Sequence, residues 1–128
     1  MKDSEPIPLV LASARPDDLR ELARFLKGTR WVLHHAASYA EAVRALGATL
    51  APVLLCDRDL PGPPWQEAVR GLSAELGRGC VILVSEVSDP YLWDEVIHCG
   101  GFDVLARPLR EREVAALLDF AYVHTRAS

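Results

Sequence analysis

Short unbroken apolar runs alternate along this chain with stretches whose apolar residues recur at helical spacing. Ile7 to Ala12 (IPLVLA) and Cys80 to Ser85 (CVILVS) show no polar alternation, the pattern of strands covered on both faces of a parallel sheet. Pro52 to Asp57 is a third such run and ends in a carboxylate; Trp31 to Ala36, interrupted by His34 and His35, and Phe102 to Ala106 read as two more strands. A helix opens at Pro16, with Asp17 and Asp18 complementing its positive end and Leu19, Leu22, Ala23 and Leu26 inside, and Gly28 stops it. Ser38-Tyr-Ala-Glu41 is a capping box for a second helix carrying Ala42, Val43 and Leu46 before Gly47. The third helix begins near Pro64 with Ala68, Val69 and Leu72 as its inner face. Ser88-Asp89-Pro90 starts the fourth, with Leu92 and Val96 inside and Gly100-Gly101 at its end. Arg107-Pro108 closes the fifth strand, and Glu111 to about His124 is the fifth helix, with Val114, Leu117, Leu118, Ala121 and Tyr122 as its docking stripe.

Five strands alternating with five helices predict an α/β fold: a three-layer, doubly wound (βα)5 sandwich around a parallel five-stranded sheet in the flavodoxin-like order 2-1-3-4-5, with residues 1–128 as one domain. In such sheets the carboxyl ends of all strands share one rim, where sites form. Here that rim collects Ser13 and Ala14, Asp57, Ser85 and Arg107.

Composition narrows the function. The net charge of −4 argues against a surface built to neutralise nucleic-acid phosphates, so no direct nucleic-acid partner is expected. Cys56, Cys80 and Cys99 are an odd number without metal-ligand spacing and suit reduced thiols in the cytoplasm. Met1 to Pro6 lacks the apolar core of a signal peptide, and no apolar run reaches membrane-spanning length, so no membrane partner is expected. His34, His35, His98 and His124 form no ligand set, since adjacent strand residues face opposite ways. Trp65, with Pro63 and Pro64, stiffens the loop after the third strand.

The run LLCDRDLPGPP from Leu54 to Pro64 resembles the phosphoacceptor strand of response-regulator receiver domains, in which the acceptor Asp is soon followed by Leu-Pro, here Leu60-Pro61. The resemblance extends from Leu9 to the end of the fifth helix. It implies that Asp57 is the phosphoacceptor, that Ser85 holds the hydroxyl position ending the fourth strand, and that Arg107 stands before Pro108 where the family has Lys. It also implies an acidic, magnesium-holding pair after the first strand, but those positions are Ser13 and Ala14.

These departures matter physically. Phosphoryl transfer to a carboxylate brings anion to anion and needs a divalent cation and a fixed positive group. At about 1.4 kcal/mol per tenfold, losing several kcal/mol of metal stabilisation slows the step by roughly 100-fold or more. Arg107 is no equivalent of Lys, because a planar fork and a compact ammonium reach different geometries. Glu86 brings bulk and charge where the family prefers a small residue. Two features offer compensation: Asp17-Asp18, which the pattern places in the first helical turn, and Asp59, whose carboxylate could join Asp57 in a makeshift metal site. The resulting expectation is a non-enzymatic, degenerate receiver (a pseudo-receiver) of a two-component or phosphorelay system, with no cofactor and with Asp57 paired internally to Arg107 or to Arg15. The alternatives are a working receiver that binds Mg²⁺ and is phosphorylated on Asp57, and a flavodoxin-like cofactor carrier, against which the Ser-Ala-Arg-Pro loop offers no phosphate cradle.

The resemblance further implies protein partners, a histidine kinase or an output domain, and a homodimer or target face on the fourth helix, fifth strand and fifth helix. Trp93 and Phe120 are its anchor candidates. Val104 stands where the family often has a switching aromatic, so an aromatic relay from Ser85 is not expected.

Overall fold

The computed structural model describes residues 5–127; Met1 to Ser4, the start of the segment read above for a signal peptide, lie outside them. Five strands, β1 (Ile7–Ala12), β2 (Trp31–Ala36), β3 (Val53–Asp57), β4 (Cys80–Ser85) and β5 (Asp103–Ala106), alternate with five helices, α1 (Pro16–Leu26), α2 (Tyr39–Thr49), α3 (Trp65–Leu76), α4 (Pro90–His98) and α5 (Glu111–Arg126). The strands are parallel and ordered β2-β1-β3-β4-β5, the expected doubly wound, flavodoxin-like arrangement.

Pleating divides the core into two layers. Leu9, Leu11, Val53, Leu55, Ile82, Val84 and Leu105 face Leu22, Phe25 and Leu26 of α1 and Val114, Leu118 and Ala121 of α5. Val10, Ala12, Leu54, Cys56, Val81 and Leu83 face α2, α3 and α4 through Ala42, Leu46, Val69, Leu72, Leu92 and Val96. Cys56, Cys80 and Cys99 are free thiols within this core. Burial pushes Cys56, which also neighbours Asp57, up to about 12 and Cys80 up to about 11, so both stay protonated and unreactive at neutral pH.

Several boundaries differ from the sequence reading. Helix α2 runs through Gly47 to Thr49 and ends at Leu50, whose N–H still donates to the Leu46 carbonyl while its own backbone turns left-handed (φ 56°) and leaves the helix. A helical glycine costs only about 1 kcal/mol against alanine and need not stop a helix. In α1 the inner face uses Phe25, while Ala23 is exposed, because Leu22, Phe25 and Leu26 form the i, i+3, i+4 stripe. β3 starts at Val53 rather than Pro52, β5 at Asp103 rather than Phe102, and α5 continues two residues past His124. The Asp89 carboxylate caps α4 by accepting from Leu92 N–H at 2.8 Å, and the Ser38 hydroxyl caps α2 by accepting from Glu41 N–H at 3.2 Å. Glycine is required after α4: a Cβ on Gly101 would lie 2.5 Å from Val96 Cγ1, and Gly100 has φ +92°.

Because side chains alternate along a strand, the residue at or just past each strand's carboxyl end inherits a known face. Ser13 continues the row of Leu9 and Leu11, Asp57 that of Val53 and Leu55, and Arg107 that of Leu105, so all three turn toward α1 and α5. Ser85 continues Val81 and Leu83 toward the opposite layer. Leu55 is fully buried at the centre of this arrangement, and Leu55→Ala is expected to cost about 2–5 kcal/mol, read as a lower urea midpoint with an unchanged m-value.

Candidate functional site: an ion cluster on the carboxyl rim

Asp57 ends β3 with only 2% of its residue surface exposed. Its Oδ1 accepts the Asp59 backbone N–H at 3.2 Å and Arg107 Nη2 at 2.9 Å. The same guanidinium grips Asp18 through two bonds, Nε to Oδ1 at 3.0 Å and Nη2 to Oδ2 at 2.6 Å. Ser13 Oγ completes the set by donating to Asp18 Oδ2 at 2.8 Å and accepting the Arg15 N–H at 3.1 Å. Four residues from β3, α1 and the ends of β1 and β5 thus form one buried network, with side-chain exposures of 9% for Arg107, 5% for Asp18 and 2% for Asp57.

The electrostatics are mutual. Burial alone raises the Asp18 carboxyl, but the hydrogen bonds from Arg107 and Ser13 and the charges of Arg107 and Arg15 outweigh it and leave the group below the ordinary carboxylate range. Burial opposes the charge on Arg107, while its bonds to Asp18 and Asp57 hold the proton more firmly than in water. Removing one partner of such a buried pair typically costs about 3–5 kcal/mol, because the other charge is left uncompensated.

Two side chains cross above this layer. Arg15 pairs with Glu86 (Nη1 to Oε1, 2.6 Å) and so joins the β1 and β4 ends over the rim. Of the two arginines considered as partners of Asp57, Arg107 makes the contact and Arg15 is turned to Glu86. Glu86 Oε1 is also 4.0 Å from Arg107 Nη1, the one buried side-chain polar atom without a hydrogen-bond partner among the described residues. On the opposite side Arg58 lies over the Trp65 ring at 5.6 Å and donates to Ser85 Oγ at 3.5 Å, while Ser85 Oγ accepts the Val87 N–H at 3.2 Å. Trp65 therefore packs Arg58 onto the rim, as well as following the two prolines.

Ala14 and Asp59 are exposed. Asp59 reaches Asp57 through its backbone N–H. Among the described residues no group of three His, Cys, Asp or Glu side chains has metal-binding geometry. The space between the Asp18 and Asp57 carboxylates, where a divalent ion held by both would sit, contains the Arg107 guanidinium, so the arrangement as it stands does not fit Mg²⁺.

Asp18 was legible in the sequence as half of a first-turn acidic doublet that offered compensation for the missing acids, but not as the partner of Arg107. Its signal was its place four residues before Leu22, at the N-terminal end of the buried α1 stripe. Helical side chains lean toward the N-terminus, and the α1 N-terminus abuts the rim, so an acid on that stripe enters the site.

No protein-family model and no curated protein matches the sequence. Its structure, however, superposes on solved signalling domains. A CheY-like response-regulator receiver domain from Methanospirillum hungatei JF-1 aligns at TM-score 0.85 and 12% identity over 96% of this chain and 98% of that one. The signal receiver domain of an HD-domain-containing protein from Pseudomonas fluorescens Pf-5 aligns at 0.84 and 19% over 97% and 91%. The receiver domain of a sensor histidine kinase from Pseudomonas aeruginosa PAO1, which has a magnesium ion coordinated in its active-site cleft, aligns at 0.78 and 19% over 91% and 97%. This chain has the receiver-domain fold. The receiver fold places Asp57, Ser85 and Arg107 on one rim, and the cluster geometry adds Asp18 to them.

Away from the rim, β5, α5 and Ser88 of the loop before α4 line an open groove of about 470 Å³, to which Val104, Ala106, Glu113, Leu117 and Phe120 contribute. Phe120 is 64% exposed although its ring lies 5.7 Å from that of Phe102, and Trp93 is 45% exposed beside exposed Ile97. Val104 is half-buried. No helix among the described residues is long and apolar enough to cross a membrane.

The lowered Asp18 carboxyl sets a pH dependence. The folded chain binds that proton less readily than the unfolded chain, so the contribution is full above the ordinary carboxylate range near pH 4 and is lost as pH falls through the folded value. Wild-type urea midpoints should therefore fall with acidification, and Asp18→Asn should be less stable at pH 7 with a visibly shallower acid limb.

Proposed function

We propose that this chain is a receiver-like signalling module of a two-component or phosphorelay system that works through protein contacts, with Mg²⁺-dependent phosphorylation of Asp57 impaired. One observation carries the reading: the oxygen of Asp57 that faces the cluster is held at 2.9 Å by Arg107, itself clamped by Asp18. A nucleophile so paired has lost the lone-pair freedom and solvent access that in-line attack on a phosphoryl donor requires. Ser13 and Ala14 supply no carboxylate for a metal, and the Arg15–Glu86 pair spans the approach. The module is non-enzymatic and cytoplasmic in this reading, its partners are a histidine kinase or an output domain, and it binds neither nucleic acid nor membrane directly.

The experiment is exposure of the full chain to acetyl phosphate, and separately to beryllofluoride, with MgCl₂. No acid-labile mass adduct on Asp57 and no beryllofluoride-dependent change in amide chemical shifts are expected. An adduct that vanishes in Asp57→Asn would establish ordinary phosphorylation instead.

The contact surface in this reading is the α4-β5-α5 face, where Trp93 on α4 is exposed and exposed Phe120 lines the groove with Val104. Aromatic anchors at the centre of an interface commonly carry about 2 kcal/mol or more each. A homodimer through this face should weaken at least tenfold in Phe120→Ala and in Trp93→Ala by sedimentation velocity, with monomer stability changed less in Phe120→Ala, whose side chain is the more exposed of the two. Association unchanged in both variants would remove the face from the reading.

A further inference from the structure

Arg107 Nη2 donates at once to Asp18 Oδ2 at 2.6 Å and to Asp57 Oδ1 at 2.9 Å. Oxygens sharing one nitrogen atom are at most about 5.5 Å apart, and a modest closure brings such a pair to the spacing at which carboxylates bridge a cation with oxygen distances of about 2.0–2.6 Å. Both acids come from separate elements, β3 and α1, and both are more than nine-tenths buried. The Asp59 N–H also donates to Asp57 Oδ1 and the Ser13 hydroxyl to Asp18 Oδ2, so each carboxylate has one hydrogen bond besides those from Arg107. Arg107 enters from the end of β5, and its Nη1 is left without a hydrogen-bond partner, 4.0 Å from Glu86 Oε1. The guanidinium is thus placed to satisfy the two acids at the expense of its own third arm.

We propose that Asp18 and Asp57 form a two-carboxylate seat for a divalent cation which Arg107 permanently fills, so that the cluster keeps a cation-loaded arrangement without a metal. This rests on the reading of Asp57 as held in an internal ion pair, and it goes further by naming Asp18 as the second ligand and the guanidinium as the stand-in. Two carboxylates and one guanidinium leave the triad with one negative charge, whereas the same acids with a divalent ion and a neutral residue at 107 are balanced. A permanently charged side chain cannot be chelated away, so the resting conformation of the rim is independent of divalent-ion supply.

The test uses Mn²⁺ as probe on the full chain. Wild type should show the same thermal midpoint in EDTA and in MnCl₂, and no loss of the free Mn²⁺ signal by electron paramagnetic resonance. Arg107→Ala should be less stable in EDTA, gain a saturable rise in midpoint with MnCl₂, and bind Mn²⁺ at least tenfold more tightly than wild type. Both gains should disappear in Arg107→Ala/Asp18→Asn and in Arg107→Ala/Asp57→Asn. If Arg107→Ala is unfolded in EDTA, Mn²⁺-dependent refolding by circular dichroism counts as the gain; if it stays unfolded in both, Arg107→Met, which keeps the packing of the stem, is read in its place. A folded position-107 variant that binds no Mn²⁺, or whose binding survives Asp18→Asn, overturns the seat while leaving the phosphorylation reading standing. Mn²⁺ binding by wild type that is lost in Asp57→Asn overturns both.

Discussion

One guanidinium shared by two buried carboxylates organises the functional rim of this protein. Arg107 spans β5 to β3 and β5 to α1 at once, so the three ends that meet at the top of the sheet are tied by charge as well as by backbone. A buried arrangement of this kind is weak evidence for net stability, since desolvating three charges offsets much of their attraction. Its stronger consequence is geometric: each carboxylate has a defined partner, and Asp57 Oδ1 is engaged by both Arg107 and the Asp59 N–H.

That geometry follows from the pleat. Residues 13, 57 and 107 each lie two places past a core residue that faces α1 and α5, and parity alone turns them to the same side. Ser85 has the opposite parity, and it engages Arg58 and the Val87 N–H rather than the cluster. The rim is thereby split into an ionic half over the α1/α5 layer and a hydroxyl half beneath the Arg58–Trp65 stack. The Arg15–Glu86 pair is the exposed strap across the first half and, being solvent-screened, contributes little to stability while covering the approach.

The opposite balance holds on the α4-β5-α5 face. There the chain leaves Trp93, Ile97 and Phe120 exposed to water, Phe120 at an open groove along β5 and α5. Exposed apolar surface is a cost that a binding face recovers when a partner covers it. Rigidity at the rim and unsatisfied apolar surface at this face are two sides of the reading of a contact module.

Fold class was legible in the residues because it depends on period and run length: two-face-buried strands such as IPLVLA and CVILVS alternating with amphipathic helices admit few topologies, and the observed order is among them. Helix α2 shows the limit of local signals, since Gly47 read as a stop where the helix continued. Strand ends also identified Asp57, Ser85 and Arg107 as rim residues, because parallel sheets gather their carboxyl ends. The partners of those side chains were not legible. Arg15 and Arg107 were equivalent on paper as partners of Asp57, and Asp18 read as half of a first-turn doublet that offered compensation for the missing acids, with no partner assigned. Choosing among them required the face on which α1 docks, the direction of its first turn, and the reach of a guanidinium to a carboxylate 89 positions earlier in the chain. Sequence by itself determined the layers, the strand order and the rim, since these follow from hydrophobic period; tertiary structure alone decided which charge meets which, since that is settled by distances of a few ångströms between elements remote along the chain.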